Sequence, residues 1–212
     1  MNLNNLANLA PGALVTLELT VVSVIAGMLL GLFLALGRLS KNKLIDRICW
    51  LYIWLFRGTP LLMQIFFIYF ALPLFTPITL PQMPAAFIAL GLNSAAYLAE
   101  IIRAAIQSID KGQMEAAKAL GLSYGQAMKR IIIPQSYRRL IPPVGNEFIA
   151  LLKDSSLVSM IGMVELMKST TQISNATGDA IIYIPSAILY LAMTTLFTFI
   201  FGRLEKKYSV YE

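Results

Sequence analysis

The sequence predicts an all-α polytopic membrane protein: five transmembrane helices with a short helical elbow on the cytoplasmic side. Three observations carry this. Of 212 residues, 58% are apolar and 13% charged, about half the charged share of an ordinary soluble surface. The apolar residues fall into runs long enough to cross a bilayer, which takes about 20 residues of helix. The lysines and arginines gather in short segments between those runs.

In chain order, the first run covers 14–36 and is interrupted only by Glu18. The second, 48–75, holds Arg57-Gly58-Thr59-Pro60 in its interior, and the third, 84–109, carries Glu100 and Arg103 in its last third. The fourth, 138–154, runs into a polar break at Lys153-Asp154-Ser155-Ser156, and the fifth, 180–201, has no charge at all. Five spans in this length make one domain, 1–212, with no room for a separate soluble module. Arg38, Lys41, Lys43 and Arg47 follow the first run; Lys111, Lys118, Lys129, Arg130, Arg138 and Arg139 lie between or flank the third and fourth; Arg203, Lys206 and Lys207 follow the fifth. Residues 1–13 and 72–84 contain none. That asymmetry puts the N-terminus outside and the C-terminus in the cytoplasm, as an odd number of spans requires. No basic residue precedes the first run, so it is expected to be a span and not a cleaved leader. The net charge of +6 thus belongs to membrane orientation and not to nucleic acid.

Composition also excludes chemistry. There is no histidine and one cysteine, Cys49, which removes histidine-based nucleophile activation and the usual zinc sites. No Gly-Lys pair occurs, so no phosphate-binding P-loop exists. No catalytic residue, metal ligand or cofactor is expected in the chain, and it is not expected to be an enzyme.

The stretch MEAAKALGLSYGQAMKRIIIP, 114–134, is too polar to be a span. Helix formers from Gln113 to Leu120 precede Gly121, a C-terminal stop. Ser123 caps a second helix, Tyr124 to Ile133, which Pro134 disturbs. Ala116, Ala119 and Leu120 share one face, a small knob suited to a groove on a partner. On these residues alone, an amphipathic loop lying on the lipid surface competes with that reading.

Glu115-Ala116-Ala117, then Gly121, then Ile131-Ile132-Ile133-Pro134 resembles the EAA motif of ABC-importer permeases, with Ile133 where that family shows Leu. FRGTPLLMQIFFIYF (56–70), NSAAYLAEIIRAAIQSIDKGQMEAAKALGLS (93–123) and NEFIALLKDSSLVSMIGMVEL (146–166) are similar to the polar amino-acid uptake subfamily, the histidine, arginine and glutamine permeases. The resemblance implies a type I ABC-importer fold in a bacterial inner membrane. It implies a coupling helix over about 113–121, with Glu115, Ala116, Ala117 and Gly121 docked on a cytoplasmic ATPase subunit that binds the ATP and magnesium. The expected partners are two ATPase copies, a second and preferably identical permease subunit, and an extracytoplasmic amino-acid-binding protein. The competing class is a secondary amino-acid transporter or channel driven by ion gradients. It would need no docking elbow, and no inverted repeat is visible.

Ionisable groups at membrane depth are costly unless paired or wet, so they are candidate sites. An amino-acid substrate needs donors for its carboxylate, for which Asn93 and Ser94 are suited, and acceptors for its ammonium, for which Asp154, Glu18 and Gln64 are suited. Asp154 and Glu18 together favour a cationic cargo such as arginine, lysine or histidine. Two readings stay open for several of these: Gln64, Asn93 and Ser94 also suit bonds between helices, and Lys153 also suits an internal pair with Asp154 or Glu147. Glu100, Arg103 and Arg57 are expected to form an ion-pair network. Gly27, Gly31 and Ala35 form a small-residue stripe whose partner, inside the subunit or across a dimer, the sequence leaves open.

Overall fold

The computed structural model describes residues 7–208, which are helical with no strand among them; residues 1–6 of the lysine- and arginine-free leading segment lie outside them. The first helix, α1 (Leu9–Arg38), outruns its predicted span at both ends. α4 (Gln82–Gln107) forms the centre of the bundle. Most of its buried positions are small: Ala85, Ala86, Ala89, Gly91, Ser94, Ala95, Ala96, Ala99 and Ala105. With no bulk in the way, neighbouring helices approach its backbone, and α1 does so along the greatest length. A Cβ added at Gly31 would sit 3.0 Å from Ala95 O and 3.1 Å from Ala99 N; one at Gly27 would sit 3.1 Å from Ala95 N. The Gly27–Gly31–Ala35 stripe therefore packs inside the subunit, against α4. Leu19 and Val24 of α1, Leu90 and Leu98 of α4, and buried leucines and isoleucines from the other helices complete the core.

The second predicted run is not one rod. α2 (Lys43–Gly58) and α3 (Leu61–Phe75) meet at 105°. Thr59 is extended (φ −120°, ψ 147°), as the residue before a proline prefers, and Pro60 has no N–H to continue the ladder. Asn42 caps the start of α2, and Arg38 pairs with Asp46 across the turn from α1.

Two further prolines are absorbed in one way. In α3 the turn Phe67–Ala71 is a π-turn in which Leu72 N–H donates to Phe67 O, and Pro73 follows. After α5 (Lys111–Ala119) and the single turn α6 (Tyr124–Ala127), Met128–Ile132 is a second π-turn in which Ile133 N–H donates to Met128 O, and Pro134 follows. A proline lacks its own donor and crowds the carbonyl four residues back, and the wider turn gives that carbonyl room. Pro134 thus does not end the second elbow helix. The chain stays helical from residue 124 through α7 (Ile133–Asp154).

The elbow's corner matches its sequence signals. Gly121 has φ +79°, and Gly121 N–H donates to Lys118 O while Leu122 N–H donates to Ala117 O, the two bonds of a Schellman stop. Ser123 and Gln126 form a reciprocal capping box.

Beyond α7 a 3₁₀ segment, Ser155–Ile161, leads to Gly162, then α8 (Leu166–Thr177), a 3₁₀ turn Ala180–Ile182 and α9 (Tyr183–Tyr208). Among the described residues α1, α4 and Ala180–Tyr208 are long and apolar enough to span a bilayer, and the bent α2–α3 pair qualifies as a unit. α7, at the fourth predicted span, does not qualify by itself, because one of its faces is polar.

The α1–α4 contact yields a graded expectation. Gly31→Ala should lower the melting temperature of the purified protein modestly, and Gly31→Val should cost about 1–3 kcal/mol as overpacking. Equal melting temperatures for wild type and Gly31→Val would contradict the contact.

Candidate functional site

α7 has two unlike faces. One buries Gly145, Phe148, Leu151 and Leu152, with the Phe148 ring 4.3 Å from that of Phe197 and 5.6 Å from that of Phe201 on α9. The other leaves Arg139, Asn146 and Lys153 exposed at seven-residue spacing, with Asp154 exposed and Glu147 partly exposed beside them. A polar stripe on a membrane helix has to meet water or a polar partner, and no other part of the described chain covers it. No direct ion pair joins Lys153 to Asp154 among the described residues. The predicted break at 153–156 is a tightening and not an opening: α7 continues through Asp154, and buried Ser155 donates its hydroxyl to Leu152 O at 2.7 Å.

The other candidates fall in different places. Gln64 and Asn93 come together, but to hold the α2–α3 bend. Gln64 Nε2 donates to Phe56 O (2.8 Å), Thr59 Oγ1 (2.9 Å) and Thr59 O (3.1 Å), and Asn93 Nδ2 donates to Gln64 Oε1 at 2.9 Å. Phe56 O, released by Pro60, and Thr59 O at the extended break thus receive side-chain donors, and the bend is fastened midway along α4. Ser94 is fully buried against Gly27. The Glu147 carboxylate lies next to its hydroxyl without normal hydrogen-bond geometry. Glu18 is exposed on the face of α1 that carries Leu14, Val22 and Ile25. The structure brings it into no hydrogen bond or ion pair with the others.

The expected charged network is present. Glu100 accepts from Arg103 Nε at 3.0 Å and Nη2 at 2.7 Å, and Arg57 Nη1 stands 3.8 Å from it. The Arg57 guanidinium lies 5.2 Å from the centre of the Tyr97 ring. A cavity of about 470 Å³ opens there, walled also by Ser108, Arg139 and Pro143.

Glu165 was not singled out from sequence, yet it is fully buried. It accepts from Met167 N (2.8 Å), Lys168 N (2.7 Å), Tyr190 Oη (3.1 Å) and Thr16 Oγ1 (3.4 Å). It caps α8 and ties that helix to α1 and α9. Its place just before a helix-forming run signals the cap; its burial has no sequence signal.

On the elbow, Glu115, Ala116, Ala119 and Gly121 are exposed and Leu120 is 81% exposed, whereas Ala117 is turned inward. The knob faces out as the helical spacing predicts. No cluster of histidine, cysteine or carboxylate suited to a metal occurs among the described residues.

The family of binding-protein-dependent transport system inner membrane components matches residues 27–210. The chain belongs to that family. The permease is 41% identical over 197 residues to the arginine transport system permease protein ArtQ of Bacillus subtilis (strain 168), covering 92% of this chain and 90% of that one. It is 40% identical over 205 residues to the L-cystine transport system permease protein TcyB of the same organism, covering 96% and 87%. It is 40% identical over 200 residues to the putative glutamine transport system permease protein GlnP of Rickettsia bellii (strain RML369-C), covering 94% and 92%. Among solved structures, a crystal structure of an amino acid ABC transporter with histidines superposes with a TM-score of 0.89 at 41% identity, covering 95% of this chain and 94% of that one. The MetNI methionine ABC transporter, in inward-facing conformations, shares the fold at a TM-score of 0.82 and 22% identity, covering 99% and 100%. The permease is therefore the inner-membrane component of a binding-protein-dependent ABC import system and is not itself catalytic. The gradient-driven alternative is set aside.

The bend predicts a measurable coupling. Gln64→Leu strips the donors from Phe56 O and Thr59 O and should cost about 1–3 kcal/mol of stability. Asn93→Ala added to it should cost less than it does in the wild type, because its 2.9 Å bond to Gln64 is already gone and only its 3.4 Å bond to Phe56 O remains. Additive losses in chemical-denaturation midpoints would show that the two side chains act separately.

Proposed function

We propose that the permease imports basic amino acids along the polar face of α7, between two identical permease subunits, and that α5 couples it to the ATPase. The observation that carries the reading is the polar stripe of α7, where Asp154 is exposed and Glu147 partly exposed, neither with an ion pair to a neighbour among the described residues. A second copy facing that stripe would enclose a wet segment in which the carboxylate of Asp154, beside Glu147, offers a guanidinium or ammonium a partner. Such a pairing, completed by hydrogen bonds, supplies a few kcal/mol, enough for about a hundredfold preference over a neutral analogue. The name of the arginine permease ArtQ supports a cationic cargo; those of the cystine and glutamine permeases show how close other cargoes lie. Of Asp154, Glu18, Gln64, Asn93 and Ser94, Asp154 is the best placed to meet a substrate. Gln64 and Asn93 are occupied by the bend, Ser94 serves as a neighbour of Glu147, and Glu18 faces outward.

The coupling reading rests on the elbow. Ala116, Ala119 and Leu120 project from a helix fixed at both ends of its corner, a rigid and mostly apolar knob suited to a cleft on the ATPase. The elbow then lies in the cytoplasm and residues 7–13 lie on the outer side, in agreement with the lysine and arginine distribution. ATP and magnesium belong to the ATPase, so the permease carries no cofactor.

Two outcomes test these assignments. Glu115→Lys and Gly121→Trp should leave the assembled complex intact while uptake per ATP hydrolysed falls at least tenfold; unchanged ATP-driven uptake in both variants would reject the docking role. Asp154→Asn should reduce arginine uptake about a hundredfold and glutamine uptake far less, with normal assembly. Equal loss for both cargoes would reject the cationic assignment.

A further inference from the structure

The cavity of about 470 Å³ between α2, α4 and α7 carries an imbalance of charge that the reading above does not use. Its one carboxylate, Glu100, has both oxygens taken by Arg103. Arg57 reaches that carboxylate only at 3.8 Å and keeps 43% of its side chain exposed, held over the ring of Tyr97. Arg139 enters the cavity from α7 and makes no ion pair among the described residues. Glu100 is thus engaged by Arg103, while the guanidiniums of Arg57 and Arg139 both line the cavity without a close carboxylate of their own among the described residues. A planar guanidinium is matched to a carboxylate, which it binds through two parallel hydrogen bonds. The volume falls within the range of small-molecule sites. A second cavity, of about 400 Å³, shares Ser108 and Arg139 with the first and continues past Asp110 and Gln113 toward the elbow. Arg139 therefore stands between an inner chamber and an outward path.

We infer that this chamber is an exit-side subsite, in which Arg57 and Arg139 hold the α-carboxylate of the departing amino acid before release along the elbow. The inference rests on the orientation proposed above, which places the elbow end in the cytoplasm. Every α-amino acid presents the same carboxylate, so the subsite is indifferent to the side chain. It also makes the importer sensitive to its own product, because free amino acid on the cytoplasmic side occupies the chamber.

The test uses proteoliposomes containing the whole complex with ATP in the lumen, and labelled arginine or glutamine, whichever is taken up, supplied with the binding protein outside. Lumenal arginine (or glutamine) should slow initial uptake. Its decarboxylated analogue, agmatine (or 4-aminobutanamide), should need at least tenfold higher concentration for the same effect. With each variant normalised to its own empty-lumen rate, Arg139→Gln should raise the half-inhibiting concentration about tenfold, and Arg139→Lys should fall between. The analogue comparison is made on wild-type protein and does not depend on how the variants fold. Equal potency of the decarboxylated analogue, no slowing of wild type by lumenal amino acid, or unaltered inhibition of Arg139→Gln would each overturn the subsite. Uptake driven only when ATPase and ATP lie on the side of residues 7–13 would take the proposal down together with the orientation. That result is distinct from normal ATP-driven uptake that ignores lumenal amino acid.

Discussion

Inside hydrocarbon a backbone N–H or C=O has no water to bond, and each one left alone costs several kcal/mol. This constraint governs the permease, because its chain departs from straight helices in many places. The break at Gly58-Thr59-Pro60 persists because Gln64 supplies donors for Phe56 and Thr59 and Asn93 steadies Gln64. The prolines at 73 and 134 persist because a π-turn precedes each. The start of α8 is satisfied by a buried carboxylate, Glu165, whose remaining bonds reach Thr16 and Tyr190. Irregular backbone is concentrated where side chains answer it.

With those groups satisfied, the packing follows from side-chain size. α4 is lined with alanine, so α1 lies against its backbone, and α9 grips the apolar side of α7 through Phe197 and Phe201. Gripping one side presents the other: Asn146, Lys153 and Asp154 are left exposed on the opposite side. The polar wall results from where the aromatic residues sit as much as from its own composition.

Much of this was legible in the sequence. Long apolar runs locate α1, α4 and α9, since span length is set by bilayer thickness. Gly121 and Ser123 fix the corner of the elbow, since stop and cap chemistry is local. The association of Glu100, Arg103 and Arg57 was also foreseen. What escaped depends on distant contacts. Pro60 signals a break but not a 105° bend, whose angle is set by packing against α4. Pro134 has the chemistry of a helix stop, and the π-turn before it offsets that. Gln64 and Asn93 have the polarity of a binding site and the geometry of a brace, and only the positions of Phe56 O and Thr59 O decide between them. Glu165 is one acid among eleven, and its burial arises from three helices meeting.

The second π-turn has a mechanical consequence. Because the chain remains helical from residue 124 to 154, through Pro134 and the interior prolines Pro142 and Pro143, no loop separates the elbow's corner from the polar wall. A hinge would dissipate a push as loop motion, whereas a rod conveys it as torque along its axis. A displacement of the elbow is therefore carried along continuous helix toward Asn146 and Asp154, with the π-turn and the Pro142-Pro143 pair as the points where that helix can bend.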